Sequence, residues 1–269
     1  MRPYRLESKA LPKVWGSKRL EPWFPDSEAD TGEVWFIPRE PIGLLVKLIF
    51  TSAKLSVQVH PGDEYAARHE HSRGKTEMWH ILRADEGAVI AAGFTERLAP
   101  ERVREAALSG EIEDLLNWIP ARAGDTFLIP AGTVHAIGAG LVLCEVQQYS
   151  DVTYRLYDYG RPRELHLDKS IDVADLGPYV RQECVAPRLA ECAYFVVDRL
   201  DCGGGLTYQP DAASYHLLVV INGSGRIAGD AFAAGECWMV PAGCAEFAIE
   251  SEPGTALLRA YEPRAGKNC

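Results

Sequence analysis

The sequence has few of the features that would direct it to a membrane or to nucleic acid. Its longest apolar run, PIGLLVKLIF, is interrupted by Lys47 and is much shorter than the roughly 20 apolar residues of a membrane-spanning helix. Basic residues are in the minority, with 28 Lys and Arg against 38 Asp and Glu, so the formal net charge is -10. Because nucleic acid and anionic lipid both favour clustered positive charge, we expect neither as a partner.

A secretory signal and a paired cysteine motif are also missing. The first twenty residues, MRPYRLESKALPKVWGSKRL, carry charges throughout and contain no apolar core segment. The seven cysteines are odd in number, and none of them forms a CxxC pair. These absences predict a cytoplasmic protein whose thiols are reduced and mostly structural.

What the sequence does contain is a long series of short apolar segments separated by Gly, Pro and Asp. Segments such as LSVQVH, DTFLIP and SYHLLVVI are typical of a β-barrel or a β-sandwich. Residues 96–118 differ, because Val103 and Ala107 lie at helical spacing between Pro100, which suits a first turn, and Gly110, which suits a stop. We therefore predict a mainly β protein with a small helical insertion.

One segment of the chain has a second copy. Residues 122–137, RAGDTFLIPAGTVHAI, resemble residues 233–249, AAGECWMVPAGCAEFAI, with a Pro-x-Gly turn at the same place in both. This echo indicates two copies of one β unit. The second copy has Glu246 where the first has His135, so we expect the second copy to be chemically silent.

Gln58 and His60 are unexpected polar residues in the strand segment KLSVQVHP. Residues two apart on a strand point to the same side, and apolar residues fill the opposite side of this segment. Alone, the pair could be the solvated face of a half-exposed strand. Glu77 opens the next strand, KTEMWHIL, and His135 follows the first Pro-x-Gly turn. Two imidazoles, a carboxylate and an amide oxygen would suit a catalytic zinc or another divalent first-row metal.

Three other histidines are weaker candidates for such a site. His80 is three residues from Glu77 and so points to the opposite side of a regular strand. His69 and His71, in RHEHSRGK, are two apart and form the alternative metal pair, but their charged surroundings indicate an exposed loop. We expect none of the three to be a ligand.

Four motifs, LSVQVHP, GKTEMWHIL, PAGTVHAI and EVQQYSDVTYRLYDYGR, resemble in this order the signatures of the type I mannose-6-phosphate isomerase family, short bacterial form, in the cupin superfamily. The resemblance implies a cupin-type jelly-roll barrel with one divalent metal, zinc in the first place, held by Gln58, His60, Glu77 and His135. It also implies catalytic roles for Arg155, Lys75 and Glu145. Lys47 and Arg155 take the implied substrate- or phosphate-binding positions.

The resemblance further implies a metal-dependent aldose–ketose isomerase that interconverts mannose 6-phosphate and fructose 6-phosphate through an enediol. A sugar phosphate is then the expected partner, and association with further copies of the chain is left open. The sequence does not show which group acts as the base in the proton transfer, because Glu145, Lys75 and a metal-bound water all suit that role. They also leave open whether Arg155 or a lysine holds the phosphate.

The two β units predict a division of the chain near Pro187, within ECVAPRLAEC. Residues 1–186 would form the catalytic cupin domain, which carries the helical insertion at about 96–118. Residues 187–269 would form a smaller, degenerate cupin-like domain.

Two other functions are compatible with a cupin barrel. An iron-dependent dioxygenase would prefer an open set of His and carboxylate ligands, whereas here an amide, Gln58, and three cations, Lys47, Lys75 and Arg155, accompany them. A sugar-binding cupin without catalysis would not need the metal ligands. The isomerase is therefore the leading hypothesis.

Overall fold

The structure is a computed structural model that describes residues 1–263, and it is built mainly from antiparallel strands. The first twelve strands are β1 (Tyr4–Arg5), β2 (Glu7–Ser17), β3 (Thr31–Ile37), β4 (Leu44–Phe50), β5 (Val57–Val59), β6 (Glu77–Ala84), β7 (Val89–Phe94), β8 (Leu116–Pro120), β9 (Thr126–Ile129), β10 (His135–Ile137), β11 (Leu141–Gln148) and β12 (Tyr154–Tyr157). The later strands are β13 (Arg188–Glu191), β14 (Val196–Asp201), β15 (Gly205–Tyr208), β16 (His216–Asn222), β17 (Ser224–Ile227), β18 (Asp230–Ala233), β19 (Cys237–Val240), β20 (Phe247–Ser251) and β21 (Ala256–Tyr261). The helices are α1 (Asp63–Glu70), α2 (Pro100–Ser109), α3 (Ile112–Leu115) and α4 (Leu167–Val173).

Hydrogen bonds join the strands of the described residues into four sheets. Sheet 1 has the strand order β2-β3-β4-β11-β6-β9, and sheet 2 has the order β12-β5-β10-β7-β8. Sheet 3 has the order β1-β19-β16-β21-β14-β13, and sheet 4 has the order β15-β20-β17-β18. The mainly β fold predicted from the sequence is therefore confirmed.

The two faces of β4 have different neighbours, which explains why the whole strand is buried. Leu48 packs on one side in an apolar cluster that includes Leu258 of sheet 3. Ile49 points to the other side, where it shares a second cluster with Ile90 of sheet 2. A strand buried on both faces needs apolar residues at nearly every position, and GLLVKLIF has this composition. The one charged residue of this run, Lys47, points to the same side as Ile49 and so toward the space between sheets 1 and 2.

Two predicted segments form with altered ends. Residues 96–118 contain α2 and α3 as expected, but their last residues belong to β8. Gly110 follows α2 with a φ of 87°, a left-handed conformation that favours glycine at a helix end. The polar strand is shorter than predicted, since β5 contains Gln58 but ends at Val59, and His60 follows it.

We propose that the chain divides near Pro187 into residues 1–186 and 187–269. Sheets 1 and 2 lie in the first part, and sheet 4 lies in the second. Sheet 3 spans the division, because β1 pairs with β19. Within residues 1–263, none of the helices combines the length and apolar character that crossing a bilayer requires.

Candidate metal centre and active site

Sheet 2 places three of the predicted site residues on one face. His135 and Arg155 are both direct cross-strand partners of Gln58, and directly opposite residues in an antiparallel sheet share a face. The Pro-x-Gly turn brings the chain to the start of β10, where His135 lies. In that turn the Gly132 amide donates a 2.8 Å hydrogen bond to the His60 carbonyl, which holds His60 beside this face.

Sheet 1 contributes a row of residues on the face that looks toward sheet 2. The register of four neighbouring strands aligns one residue from each, so that they stand side by side across the sheet. In order from β3 to β6, these residues are Trp35, Lys47, Glu145 and Trp79. Glu77 precedes Trp79 by two residues and therefore points in the same direction.

His60, Glu77 and His135 form a buried cluster of metal-ligating side chains. Each is at most 1% exposed, and one ligand atom from each lies within 4.8 Å of the others. His60 Nε2 is 3.1 Å from Glu77 Oε1, and His135 Nε2 is 3.8 Å from Glu77 Oε2. The fourth predicted ligand, Gln58, adjoins the cluster, because its amide nitrogen is 3.2 Å from His135 Nε2. The four residues named from the sequence therefore meet at one place.

Backbone hydrogen bonds leave both imidazoles ready to accept a cation. Nδ1 of His60 donates to the carbonyl of Val152 at 2.8 Å, and Nδ1 of His135 donates to the carbonyl of Thr133 at 2.9 Å. Because a carbonyl can only accept, each Nδ1 carries the proton, and the lone pair of a neutral ring is then on Nε2. Burial lowers the pKa of His135, and it lowers the pKa of His60 to about 3. Both rings are therefore neutral near pH 7.

The remaining charges complete a set of donors that fits a divalent metal. Burial acts to raise the pKa of Glu77, but Lys75, His60 and His135 together outweigh it, and the pKa falls well below its usual value. Lys75 Nζ lies 2.8 Å from Glu77 Oε1 and 3.2 Å from His60 Nε2. The Glu77 carboxylate and the His60 nitrogen lone pair face each other at 3.1 Å and would repel each other, and the Lys75 ammonium beside both of them offsets this repulsion. Two neutral imidazoles and an ionised carboxylate are also the states in which these groups bind metal.

A second buried ion pair lies beside the cluster. Lys47 Nζ is 2.8 Å from Glu145 Oε1, and the Trp79 indole donates to Glu145 Oε2 at 3.0 Å and to Glu77 Oε2 at 3.1 Å. Burial raises the pKa of Glu145, and the charge of Glu77 raises it further against the opposing effect of Lys47. Burial alone would lower the pKa of Lys47, but the carboxylates of Glu145, Glu33 and Glu77 together outweigh it, so Lys47 remains an ammonium.

A cavity of about 270 Å³ opens between the two sheets at these residues. Six of the eight residues predicted for the site line it, namely Lys47, Gln58, Lys75, Glu77, Glu145 and Arg155. The other two, His60 and His135, reach it through their contacts with Glu77. The aromatic walls include Trp15 and Trp35.

Sequence reasoning missed three charged residues of the cavity wall, Glu33, Asp151 and Arg163. Glu33 accepts a 2.7 Å hydrogen bond from the Trp35 indole and pairs with Lys13 at 3.3 Å. Burial acts to raise its pKa, but Lys47, Lys13, the Trp35 hydrogen bond and Lys75 together outweigh it, so the pKa is lowered. Glu33 could have been predicted, because it is the one charged residue in the otherwise apolar strand segment GEVWFI. The only sequence feature that pointed to Arg163 was the number of arginines in the segment YRLYDYGRPR.

The three remaining candidate histidines stand apart from the metal ligands. His80 is buried on the opposite side of β6, where its Nδ1 is 2.9 Å from Thr126 Oγ1. His69 and His71 are exposed, as expected; His69 lies in the last turn of α1, and His71 lies in the loop that follows it. Tyr65 stacks on His69 at 4.1 Å between ring centroids.

We expect the metal-free protein to lose stability as the pH falls from about 6.5 to 4. Burial lowers the pKa of His80 and of His216 to about 4, whereas a histidine in an unfolded chain titrates near 6.5. In this window the unfolded chain binds more protons than the folded protein, so acid favours unfolding by up to about 1.4 kcal/mol per pH unit for each such histidine.

Urea unfolding at pH 7, 6 and 5 in the presence of a chelator measures the slope of the free energy of unfolding against pH. His80→Gln should reduce it, while the exposed His69→Gln serves as the control and should leave it unchanged. A slope in His80→Gln equal to that of the unsubstituted protein would contradict the assignment to His80.

Comparison with known proteins adds an independent finding. No protein-family model matches the chain. The chain is 35% identical over 275 residues to a mannose-6-phosphate isomerase of Streptococcus mutans, a match that covers 84% of this chain and 86% of the relative. It is 39% identical over 227 residues to a mannose-6-phosphate isomerase of Bacillus subtilis, covering 77% of this chain and 71% of the relative. A crystal structure of the mannose 6-phosphate isomerase from Bacillus subtilis matches with a TM-score of 0.86 and 28% identity, over 97% of this chain and 99% of that one.

Proposed function

The chain belongs to the mannose-6-phosphate isomerase family, and from this premise we propose that it interconverts mannose 6-phosphate and fructose 6-phosphate in the cavity between sheets 1 and 2. The resemblance to this family in the sequence is thus confirmed. The observation that carries the proposal is the convergence of His60, Glu77 and His135 beside the Lys47–Glu145 pair. A cytoplasmic location stays a prediction from the sequence.

We propose that one zinc ion is held by Gln58, His60, Glu77 and His135. Support for a divalent metal comes from the buried donor cluster, and the mixed nitrogen and oxygen donors favour zinc among the first-row metals. Such an ion, when bound, stabilises the negative charge that develops on the substrate oxygens during enolisation. Gln58 would bind through its amide oxygen, which here accepts a 3.2 Å hydrogen bond from Ser56 Oγ.

Glu145 is the base in this proposal. It takes the proton from C2 of mannose 6-phosphate, which leaves an enediolate; a proton moves from O2 to O1, and Glu145 then returns its proton to C1 to give the ketose. Its raised pKa makes its carboxylate a stronger base than an exposed one. Hydrogen bonds from Trp79 and the ion pair with Lys47 hold the carboxylate in one position within the cavity wall.

Lys75 is better suited to hold a substrate oxygen than to accept a proton. Its ammonium has three N–H donors; Glu77 accepts from one of them, and His60 accepts from a second only until its Nε2 binds the metal. The third is available to an oxygen of the sugar, where it would add to the stabilisation of the enediol. Lys75 lines the cavity, which supports this role.

Arg155 has unused hydrogen-bonding capacity at the cavity wall. Its Nη1 donates to the Glu164 carbonyl at 2.7 Å, but its Nε is buried without a hydrogen-bond partner among residues 1–263. A buried donor without an acceptor is costly, and an oxygen of the bound substrate would satisfy it. We therefore keep the predicted role of Arg155 in catalysis and in substrate binding, and Lys47 keeps its role as a substrate-binding cation that also holds Glu145.

A coupled assay of fructose 6-phosphate formation from mannose 6-phosphate tests the function. We expect turnover by the zinc-loaded protein, a loss of at least about 100-fold after a chelator has removed the metal, and recovery when zinc is returned. Activity that is indifferent to complete metal removal would contradict the metal-dependent mechanism. No conversion of mannose 6-phosphate by the zinc-loaded protein would contradict the function itself.

A further inference from the structure

Asp158 is a buried carboxylate that holds two arginine side chains. Its own side chain is 1% exposed. Arg163 donates to it through two parallel bonds, from Nε to Oδ2 at 2.6 Å and from Nη2 to Oδ1 at 2.7 Å. Arg161 Nη2 is 3.0 Å from Oδ1. A bidentate pair with a fully buried carboxylate fixes the plane of the Arg163 guanidinium.

The two arginines that share Asp158 have different surroundings. Arg161 also donates to the backbone carbonyls of Asp158, at 3.1 Å, and of Lys54, at 2.8 Å, so its guanidinium holds the loop together. Arg163 instead lines the cavity together with Arg155, and its side chain is 30% exposed. Its Nη1 takes no part in the bidentate pair and can donate to a ligand.

Charge is distributed unevenly along the cavity wall. The buried end has three carboxylates and two ammonium groups, a formal charge of about -1, from Glu33, Glu77, Glu145, Lys47 and Lys75. The accessible end has two guanidinium groups and one carboxylate, a formal charge of about +1, from Arg155, Arg163 and Asp151. The buried end thus favours a cation, and the accessible end favours an anion.

Arg155 and Arg163 lie close enough to affect each other. Burial lowers the pKa of Arg155, and the charge of Arg163 lowers it further. Two guanidinium groups that repel each other are brought together at a cost, which an anion bound between them would offset. Arginine pairs of this kind suit phosphate, because each fork can donate two parallel hydrogen bonds to it.

We propose that Arg163, oriented by Asp158, binds the phosphate group of the substrate together with Arg155 at the accessible end of the cavity. Lys47, paired with Glu145, then contacts the sugar at the buried end rather than the phosphate, and C1 and C2 of the sugar lie toward the metal ligands. This inference rests on the proposed function, because the phosphate belongs to that substrate. Arg163 is a binding residue in this arrangement, and Asp158 is a positioning residue.

Inorganic phosphate is a probe that does not depend on turnover. Calorimetric titration of the zinc-loaded chain with phosphate should give an affinity that Arg163→Gln weakens by about 10- to 100-fold. The KM for mannose 6-phosphate should rise by a similar factor while kcat changes by less than about 3-fold. Arg104 is a half-buried arginine on α2 that pairs with Asp168 outside the cavity, so Arg104→Gln is the matched control and should leave all three quantities unchanged.

The positioning role of Asp158 is tested by comparing the effects of Asp158→Asn and Arg163→Gln, alone and combined, on phosphate binding. Asp158→Asn should weaken phosphate binding in the chain that has Arg163, but it should add no further loss to Arg163→Gln. If Asp158→Asn does not fold, Arg163→Lys carries the test, because lysine keeps the charge but lacks the fork and should recover only part of the affinity.

Two results would overturn the inference. One is a phosphate affinity and KM in Arg163→Gln equal to those of the unsubstituted chain, as expected if phosphate binds at the metal or at Lys47. The other is a fall in kcat with KM unchanged, which would place Arg163 in the chemical step. Phosphate binding through Arg163 in a protein that does not convert mannose 6-phosphate would instead support the anion site and reject the proposed function.

Discussion

His135→Ala should remove bound metal and turnover together, with kcat/KM reduced by at least about 10³-fold. His135 is completely buried, and its Nε2 faces Glu77 Oε2 at 3.8 Å. Alanine removes one of the proposed ligands and also the acceptor of the Gln58 amide, which would then be left without its 3.2 Å contact. Because the remaining donors include a single carboxylate, we expect the three of them to hold zinc too weakly to survive purification.

Metal content after gel filtration and turnover in the coupled assay measure the two losses separately. The control is His216→Ala, because His216 is also a buried histidine but lies in sheet 3, where its Nδ1 is 2.6 Å from the Tyr208 hydroxyl. This control should lose stability and still bind one metal ion per chain. Stoichiometric zinc in His135→Ala would show that His135 is not a ligand.

Glu145→Gln should lower kcat by about 10²- to 10⁴-fold without loss of metal. An amide cannot take the proton from C2, although its oxygen can still accept from Lys47, which lies 2.8 Å from the carboxylate. Since burial and Glu77 raise the pKa of Glu145, we expect the rate of the unsubstituted protein to fall with pH while the pH is still above the usual glutamate value of about 4.3. This acid limb should be missing from the residual activity of the variant.

Glu236→Gln is a close match for this variant outside the cavity. Glu236 accepts from the Trp238 indole at 3.0 Å and pairs with Arg5 at 2.8 Å, so an indole and a cation hold it as Trp79 and Lys47 hold Glu145, although at the protein surface. We expect its kcat to equal that of the unsubstituted protein. A kcat for Glu145→Gln within about 3-fold of the unsubstituted value would remove Glu145 from the chemical step and leave Lys75 as the protein group to test next.

The predictions that succeeded depended on short-range pattern. Alternation along one strand separated Gln58 from its apolar neighbours, and helical spacing with Pro100 and Gly110 located the insertion. These features involve residues a few positions apart, and so the backbone geometry of a single element determines them. The end of β5 at Val59 was missed, because strand ends depend on where the neighbouring strand stops pairing.

The pairing of residues across the cavity wall could not be derived from short-range pattern, for a different reason. Lys47 and Glu145 are 98 positions apart in the printed numbering, yet they are direct partners because β4 and β11 pair in one particular register. A shift of one residue in that register would turn one of the two away from the cavity. No local pattern specifies such a register, and the same is true of the loop that brings Arg163 to Asp158 beside Arg155.

The sequence by itself determined which chemical groups this protein has for its site, a mainly β fold, and a helical insertion. Only the tertiary structure decided which of those groups meet, which imidazole nitrogen is free, and which charges lie at each end of the cavity. The physical reason is that burial, hydrogen bonding and charge act through distance in space, and antiparallel pairing of strands far apart in the chain sets those distances.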